Sequence, residues 1–170
     1  MDKPKSEQLK KKLEENYDKF VEKFLEIFQE SKEKTKEALD KALDKARDQM
    51  TQAGEFSTDQ GKAFKESFLR DLKRASYNLK NIGGEAKEYL APERIKTGAI
   101  ASLSTLLHKA GEALNFFIEK TDKELIHKTG QVTSAGSLTC LKCKKKIHLK
   151  KTGHVPPCPA CSGTEFKKGY

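Results

Sequence analysis

The chain has 170 residues, no tryptophan, five prolines, and no cysteine before Cys140. It also lacks any long apolar run. A secretory leader needs about 7–15 apolar residues in a row and a membrane-spanning helix about 20. The start, Met1-Asp2-Lys3-Pro4-Lys5, leads instead into charged sequence. Neither a leader nor a span is expected, and the cytoplasm is the simplest location. All four cysteines fall in two Cys-x-x-Cys pairs, which argues against a dispersed disulfide framework and suits a reducing compartment. There is no glycine-rich phosphate loop, because Gly83-Gly84 lacks the Lys-Ser/Thr chemistry that would follow one. No catalytic Ser-His-Asp or Cys-His set can be assembled once the cysteines are committed elsewhere, so no enzyme is expected.

What is present is charge. Apolar residues make up 35% of the chain and charged residues another 35%. That balance suits elongated helices, which bury only a stripe of each turn, better than a thick α/β core. Leu9, Leu13, Tyr17, Phe20, Phe24, Phe28, Ser31, Thr35, Leu39, Ala42 and Ala46 recur at three- and four-residue steps. The spacing predicts one long helix from Ser6 to Gln52. Gly54 marks its stop, and Ser57-Thr58-Asp59 offers N-cap chemistry to a second helix with Phe64, Phe68, Leu72, Ala75, Leu79 and Ile82 inward. Gly83-Gly84 interrupts that pattern. Pro92 suits the first turn of a third helix, expected to run to Lys128.

The expected fold is mainly α. A long antiparallel helical hairpin or slender three-helix bundle over residues 1–129 precedes a small β zinc ribbon over residues 130–170. Gln131-Val132-Thr133 and Ser137-Leu138-Thr139 read as two short strands leading into the first cysteine pair.

Cys140-x₂-Cys143 and Cys158-x₂-Cys161 are separated by fourteen residues. Two residues between ligands let a tight turn aim both sulfurs at one ion. The interval is long enough for a hairpin that returns the second turn beside the first, with Ile147 and Leu149 alternating against His148 and Lys150. Four thiolates in a tetrahedron suit one structural Zn²⁺ and leave no open coordination position. An iron site of rubredoxin type uses the same ligands, but Lys144 and Ser162 stand where such turns usually carry glycine.

A helical region before such a ribbon also resembles rubrerythrins, whose diiron centres need two Glu-x-x-His motifs. The chain has one, Glu124-Leu125-Ile126-His127. Thr105, Lys145 and Lys151 precede His108, His148 and His154 by three residues, so there is no second. Glu124 and His127 read as a polar helix end, and His148 and His154 as surface residues of a basic hairpin.

The positive charge is concentrated. From Leu138 onward there are eight lysines against one acid, Glu165, which accounts for seven of the nine excess charges. Lys142, Lys144, Lys145, Lys146, Lys150 and Lys151, with Lys167 and Lys168 beyond them, could attract phosphate. The ribbon has no arginine, and only Phe166 and Tyr170 could stack on a base.

The chain from about Gly61 to Tyr170 resembles the YbeL-like family of bacterial zinc-ribbon-containing proteins. The likeness rests on Arg70-Asp71-Leu72, on Thr129-Gly130-Gln131-Val132, on Gly136-Ser137-Leu138-Thr139-Cys140, on Cys143, and on Pro157-Cys158-Pro159-Ala160-Cys161. It implies the ribbon fold and a metal-ligand role for the four cysteines, and it brings no activity with it. Two functions follow as expectations. One is a non-enzymatic adaptor that binds another protein or a larger assembly, or self-associates through the helical stripe. The alternative is a sequence-nonspecific RNA- or DNA-binding protein that uses the lysine-rich ribbon.

Overall fold

In the computed structural model, residues 3–81, 98–110 and 126–169 are described. The apolar stripe of the first helical segment is buried from Tyr17 onward, with Phe20, Val21, Phe24 and Phe28 all inside. It is carried by two helices, α1 (Lys3–Glu30) and α2 (Lys36–Gln52), and not by the single helix expected from Ser6 to Gln52. The break falls at Ser31 and Thr35, which fit the helical period but whose hydroxyls prefer caps to helix interiors. Lys34 folds back and donates to the carbonyls of Phe28, Gln29 (3.1 Å) and Ser31 (2.7 Å), satisfying the end of α1. Thr35 is the N-cap of α2, its Oγ1 accepting from the Ala38 amide at 3.2 Å. The chain reverses there, and α2 packs back along α1.

The stop at Gly54 is present, with φ +73° following Ala53 at the end of α2. Helix α3 (Thr58–Asn81) opens with a reciprocal capping box. The Ser57 amide donates to Gln60 Oε1 at 2.9 Å, and the Gln60 amide donates to Ser57 Oγ at 3.3 Å. Phe64, Phe68 and Leu72 of α3 join the core of α1 and α2, where Phe24 meets Phe28 and Phe68 at centroid distances of 5.6 and 5.0 Å. Helix α4 (Gly98–Ala110) adds Ile100, Leu103 and Leu107 to the same core. Its start rests on Asp18 of α1, which accepts from the Ala99 amide at 2.6 Å, a carboxylate at the positive end of the helix. The proposed break at Gly83-Gly84 and the helix start at Pro92 lie outside the described residues.

The third helix does not reach Lys128. Ile126–Lys128 is strand β1, paired with β6 (Glu165–Gly169) so that His127 lies opposite Phe166. The two expected strands are found as β2 (Val132–Thr133) and β3 (Gly136–Cys140). Strand β4 (Lys146–Leu149) forms a hairpin with β3, and β5 (Gly153–His154) pairs with β2. The result is a four-stranded antiparallel sheet in the order β1-β6-β3-β4, beside a two-stranded sheet β2-β5. The mainly α body followed by a small β ribbon is therefore the architecture.

Candidate metal centre

Strand β3 ends on Cys140, opposite Phe166 of β6, and the register thereby places the first cysteine turn against the sheet. The two Cys-x-x-Cys turns are built alike. The Lys144 amide donates to the Cys140 carbonyl at 3.0 Å, and the Ser162 amide to the Cys158 carbonyl at 2.8 Å. The amides of Cys140 and Cys158 in turn donate to the carbonyls of Lys145 and Gly163, both at 2.9 Å. In each turn the residue after the second cysteine is left-handed, Lys144 at φ 62° and Ser162 at φ 54°. The backbone conformation that favours glycine is therefore present at both positions, although neither is glycine.

This geometry converges four sulfurs. All four Sγ atoms lie within 4.8 Å of one another, with Cys140–Cys161 at 3.6 Å and Cys143–Cys158 at 3.5 Å. Zinc–sulfur bonds of about 2.3 Å in a regular tetrahedron require sulfurs roughly 3.8 Å apart. The four are free thiols and not disulfides. Gly163 borders the cluster, where a Cβ would stand 3.0 Å from Cys140 Sγ and 3.2 Å from Cys161 Sγ. The cradle is sized for sulfur and nothing more.

The electrostatics agree. The backbone N–H of Cys143 holds the Cys140 thiol below its ordinary pKa, and the backbone N–H of Ala160 brings Cys158 to about 7. Cys161, facing the Cys143 sulfur, is pushed up to about 12. Backbone amides thus favour thiolates at two ligands, while mutual repulsion opposes ionising the whole set. A divalent cation at the centre resolves that conflict, because coordination deprotonates thiols outright. Cys140, Cys143, Cys158 and Cys161 fit one structural zinc ion.

Lys142, Lys144, Lys145, Lys146, Lys150 and Lys151 are all exposed. Lys144 Nζ donates to the Leu141 carbonyl at 3.1 Å, and Lys151 lies 3.9 Å from Glu14. Lys146 belongs to β4, an outer strand of the sheet, where charge also guards the open edge. Two residues read as surface groups, Lys168 and His154, and one read as a polar helix end, His127, lie elsewhere. Lys168 is fully buried, His127 is buried in β1, and His154 is half-buried, its Nδ1 3.1 Å from Glu14 Oε1. His148 is exposed as expected.

The burial of Lys168 reveals a centre that the spacing arguments missed. Its Nζ donates to Asp71 Oδ1 (3.1 Å), Thr133 Oγ1 (2.7 Å), and the carbonyl and Oγ of Ser134 (both 2.7 Å). Asp71 of α3 also accepts from His127 Nε2 (2.9 Å), Thr133 Oγ1 (2.6 Å), the Ser134 amide (2.8 Å) and Tyr17 of α1 (3.1 Å). Burial alone would raise the Asp71 pKa, but the Lys168 charge and the His127 and Thr133 hydrogen bonds hold it well below the carboxylate range. Burial lowers Lys168 to about 8, partly offset by Asp71, and it lowers His127 as well. Such a pair is sustained only because its hydrogen bonds are so numerous. A second tie joins Thr152 Oγ1 to Asp18. With the His154–Glu14 contact, the described residues fasten the ribbon to α1 and α3 through Asp71, Asp18 and Glu14.

A sequence signal for this centre exists. Asp71 stands seven residues after Phe64 and three after Phe68, on the buried face of α3. Strand alternation likewise puts Lys168 on the same face as Phe166.

Residues 26–169 match the zinc-ribbon containing domain family. The chain belongs to that family. No curated protein and no solved structure matches the chain. The match spans α2, α3, α4 and the whole described ribbon, so the helices as well as the metal centre fall within the family's extent. Among the described residues, no helix is long and apolar enough to cross a membrane.

Proposed function

We propose that the protein is a non-enzymatic adaptor whose zinc ribbon presents a basic face to an acidic surface on another protein. The observation that carries this reading is the placement of six exposed lysines, Lys142, Lys144, Lys145, Lys146, Lys150 and Lys151, on a ribbon tied to the helices through Asp71 and Asp18. A face held in place before binding loses little freedom on association. Four thiolates around zinc leave no position for a substrate, which supports binding over catalysis. Among the described residues the one large hydrophobic side chain exposed is Leu9, at 57%. Recognition therefore rests on charge complementarity and not on an apolar patch.

An acidic protein surface fits this face better than nucleic acid does. Phe166 is fully buried and Tyr170 lies outside the described residues, so no described aromatic of the ribbon is offered to a base. The test is capture of partners by the tagged, zinc-loaded full chain and by a Lys144/Lys145/Lys146→Glu variant. The expected outcome is a protein partner that is lost on charge reversal and weakened by salt. Binding of RNA or DNA at low salt, abolished by the same variant and unaccompanied by a protein partner, would replace this reading with the nucleic-acid one.

A further inference from the structure

The buried centre explains Asp71 but leaves its neighbour Arg70 without a role. Arg70 Nη2 donates to Ser67 Oγ at 3.2 Å, while its Nε, shielded from solvent, meets no acceptor among the described residues. A guanidinium has five N–H donors in a planar fork and matches a carboxylate in two places at once. Arg47, by contrast, is satisfied by Asp44 and Asp48, each at 2.8 Å.

Arg70 borders a cavity of about 250 Å³ where α1, α3 and the ribbon meet. One side is apolar, formed by Leu13, Ala63, Phe64 and Val132. The polar side is made of donors. Gln60 and Gln131 each spend their amide oxygen on a backbone N–H, of Ser57 and Lys128 respectively, both at 2.9 Å. Their NH₂ groups therefore remain to donate. His154, whose Nδ1 is taken by Glu14, also lines the cavity. The one acid of the lining, Glu66, is exposed.

We propose that this cavity binds a small organic carboxylate, its charged group on the Nη edge of the Arg70 guanidinium and its short apolar body against Phe64, Leu13 and Val132. The volume is below the roughly 300–1,000 Å³ of sites for drug-sized ligands, which suits a small ligand. Inorganic anions would satisfy Arg70 but leave the apolar wall uncovered. The site is separate from the metal centre and its ligand is a small molecule, so the proposal goes beyond the adaptor reading.

The experiment is an NMR titration of the zinc-loaded full chain with sodium hexanoate and with sodium benzoate, using hexanol and sodium chloride as controls. Saturable shifts are expected at the Arg70 Nε–H and at the amides of Gly130, Gln131 and Val132. Hexanol should bind about tenfold more weakly or worse, and Arg70→Gln should weaken carboxylate binding by at least about tenfold, as loss of a charged hydrogen bond requires. The proposal is overturned if neither carboxylate gives saturable shifts, if sodium chloride reproduces them, or if folded Arg70→Gln binds as the parent does. Should Arg70→Gln fail to fold, Gln131→Leu and the acid-against-alcohol comparison on the parent decide the matter.

Discussion

The helical body and the ribbon are held together by different physics. Among the described residues, the body contributes twenty buried apolar residues to one core, rich in phenylalanine. The ribbon's own core has five, Leu138, Cys140, Val155, Cys158 and Phe166, and two of those are metal ligands. At about 1.5–3 kcal/mol for each large apolar side chain fully buried, the first is a conventional core and the second is too small to fold a segment unaided. The ribbon substitutes coordination for area. Where the two meet, neither device is used alone, because Val132 and Ala135 join the helical core while Asp71 and Lys168 form an ionic bond nearby.

The largest test of this contrast is removal of the metal. Structural zinc supplies roughly 10–16 kcal/mol of apparent binding energy at neutral pH. Strong chelation, or Cys158→Ser, should abolish zinc retention and the dispersed amide signals of β3, β4 and β6. Far-ultraviolet circular dichroism should still report the helices of α1 to α3. If the helices were lost along with the ribbon, the two regions would be one cooperative unit and the contrast would fail.

The next test is aimed at the bond between the regions. Lys168→Met leaves the Asp71 carboxylate buried without its cation, which should destabilise the fold by about 3–5 kcal/mol. The double variant Asp71→Leu/Lys168→Met removes both charges and should cost clearly less than the two single changes summed. Urea unfolding of the four proteins in this cycle measures the coupling. Additive costs would mean that the pair does not act as a unit.

What could be read from the amino acids follows the same division. The core of the body was legible because Phe20, Phe24, Phe28, Phe64, Phe68 and Leu72 follow the helical period, and each is buried. The metal centre was legible because ligand chemistry fixes its spacing. The break between α1 and α2 was not, because Ser31 and Thr35 occupy stripe positions and only their capping bonds reveal the turn. Strand β1 escaped detection because its partner β6 lies far along the chain, and three residues carry no period of their own. Lys168 was assigned to the basic face on its charge, whereas its alternation with Phe166 pointed inward. The polar centre needed both facts at once, Asp71 on one buried face and Lys168 on another.

A smaller effect is expected from acid. His127 Nε2 lies against Asp71, while its Nδ1 is buried with no partner among the described residues, so a second ring proton has no acceptor there. Its pKa is below the ordinary 6.5, with burial the main cause. Below that pH the unfolded chain takes a proton that the folded chain resists, so stability falls as pH falls. Asp71 adds a loss of the same sign below its ordinary 3.8, since its folded pKa is lower. Each group can contribute at most about 1.4 kcal/mol per pH unit. A His127→Gln variant should therefore show a flatter stability curve than the parent just below pH 6.5, measured with zinc retained. Parallel curves would assign the acid sensitivity to some other group.

The smallest effect is expected at Ser162, the first of two adjacent residues after the last ligand. Ser162 is left-handed, a conformation that costs a residue with a Cβ about 1–2 kcal/mol, whereas Gly163 is required for room beside the sulfurs. Ser162→Gly relieves the backbone but adds about 0.5–1 kcal/mol of entropy to the unfolded chain. The net gain should therefore be about 0.5 kcal/mol, read as slower loss of zinc to a chelator. Gly163→Ala should act in the opposite direction and more strongly, because its Cβ would press on Cys140 Sγ and Cys161 Sγ, and overpacking typically costs about 1–3 kcal/mol. If both changes slowed zinc release, backbone freedom would outweigh the fit around sulfur. The ribbon would then owe its stability less to the closeness of its cradle than the contrast with the helical core requires.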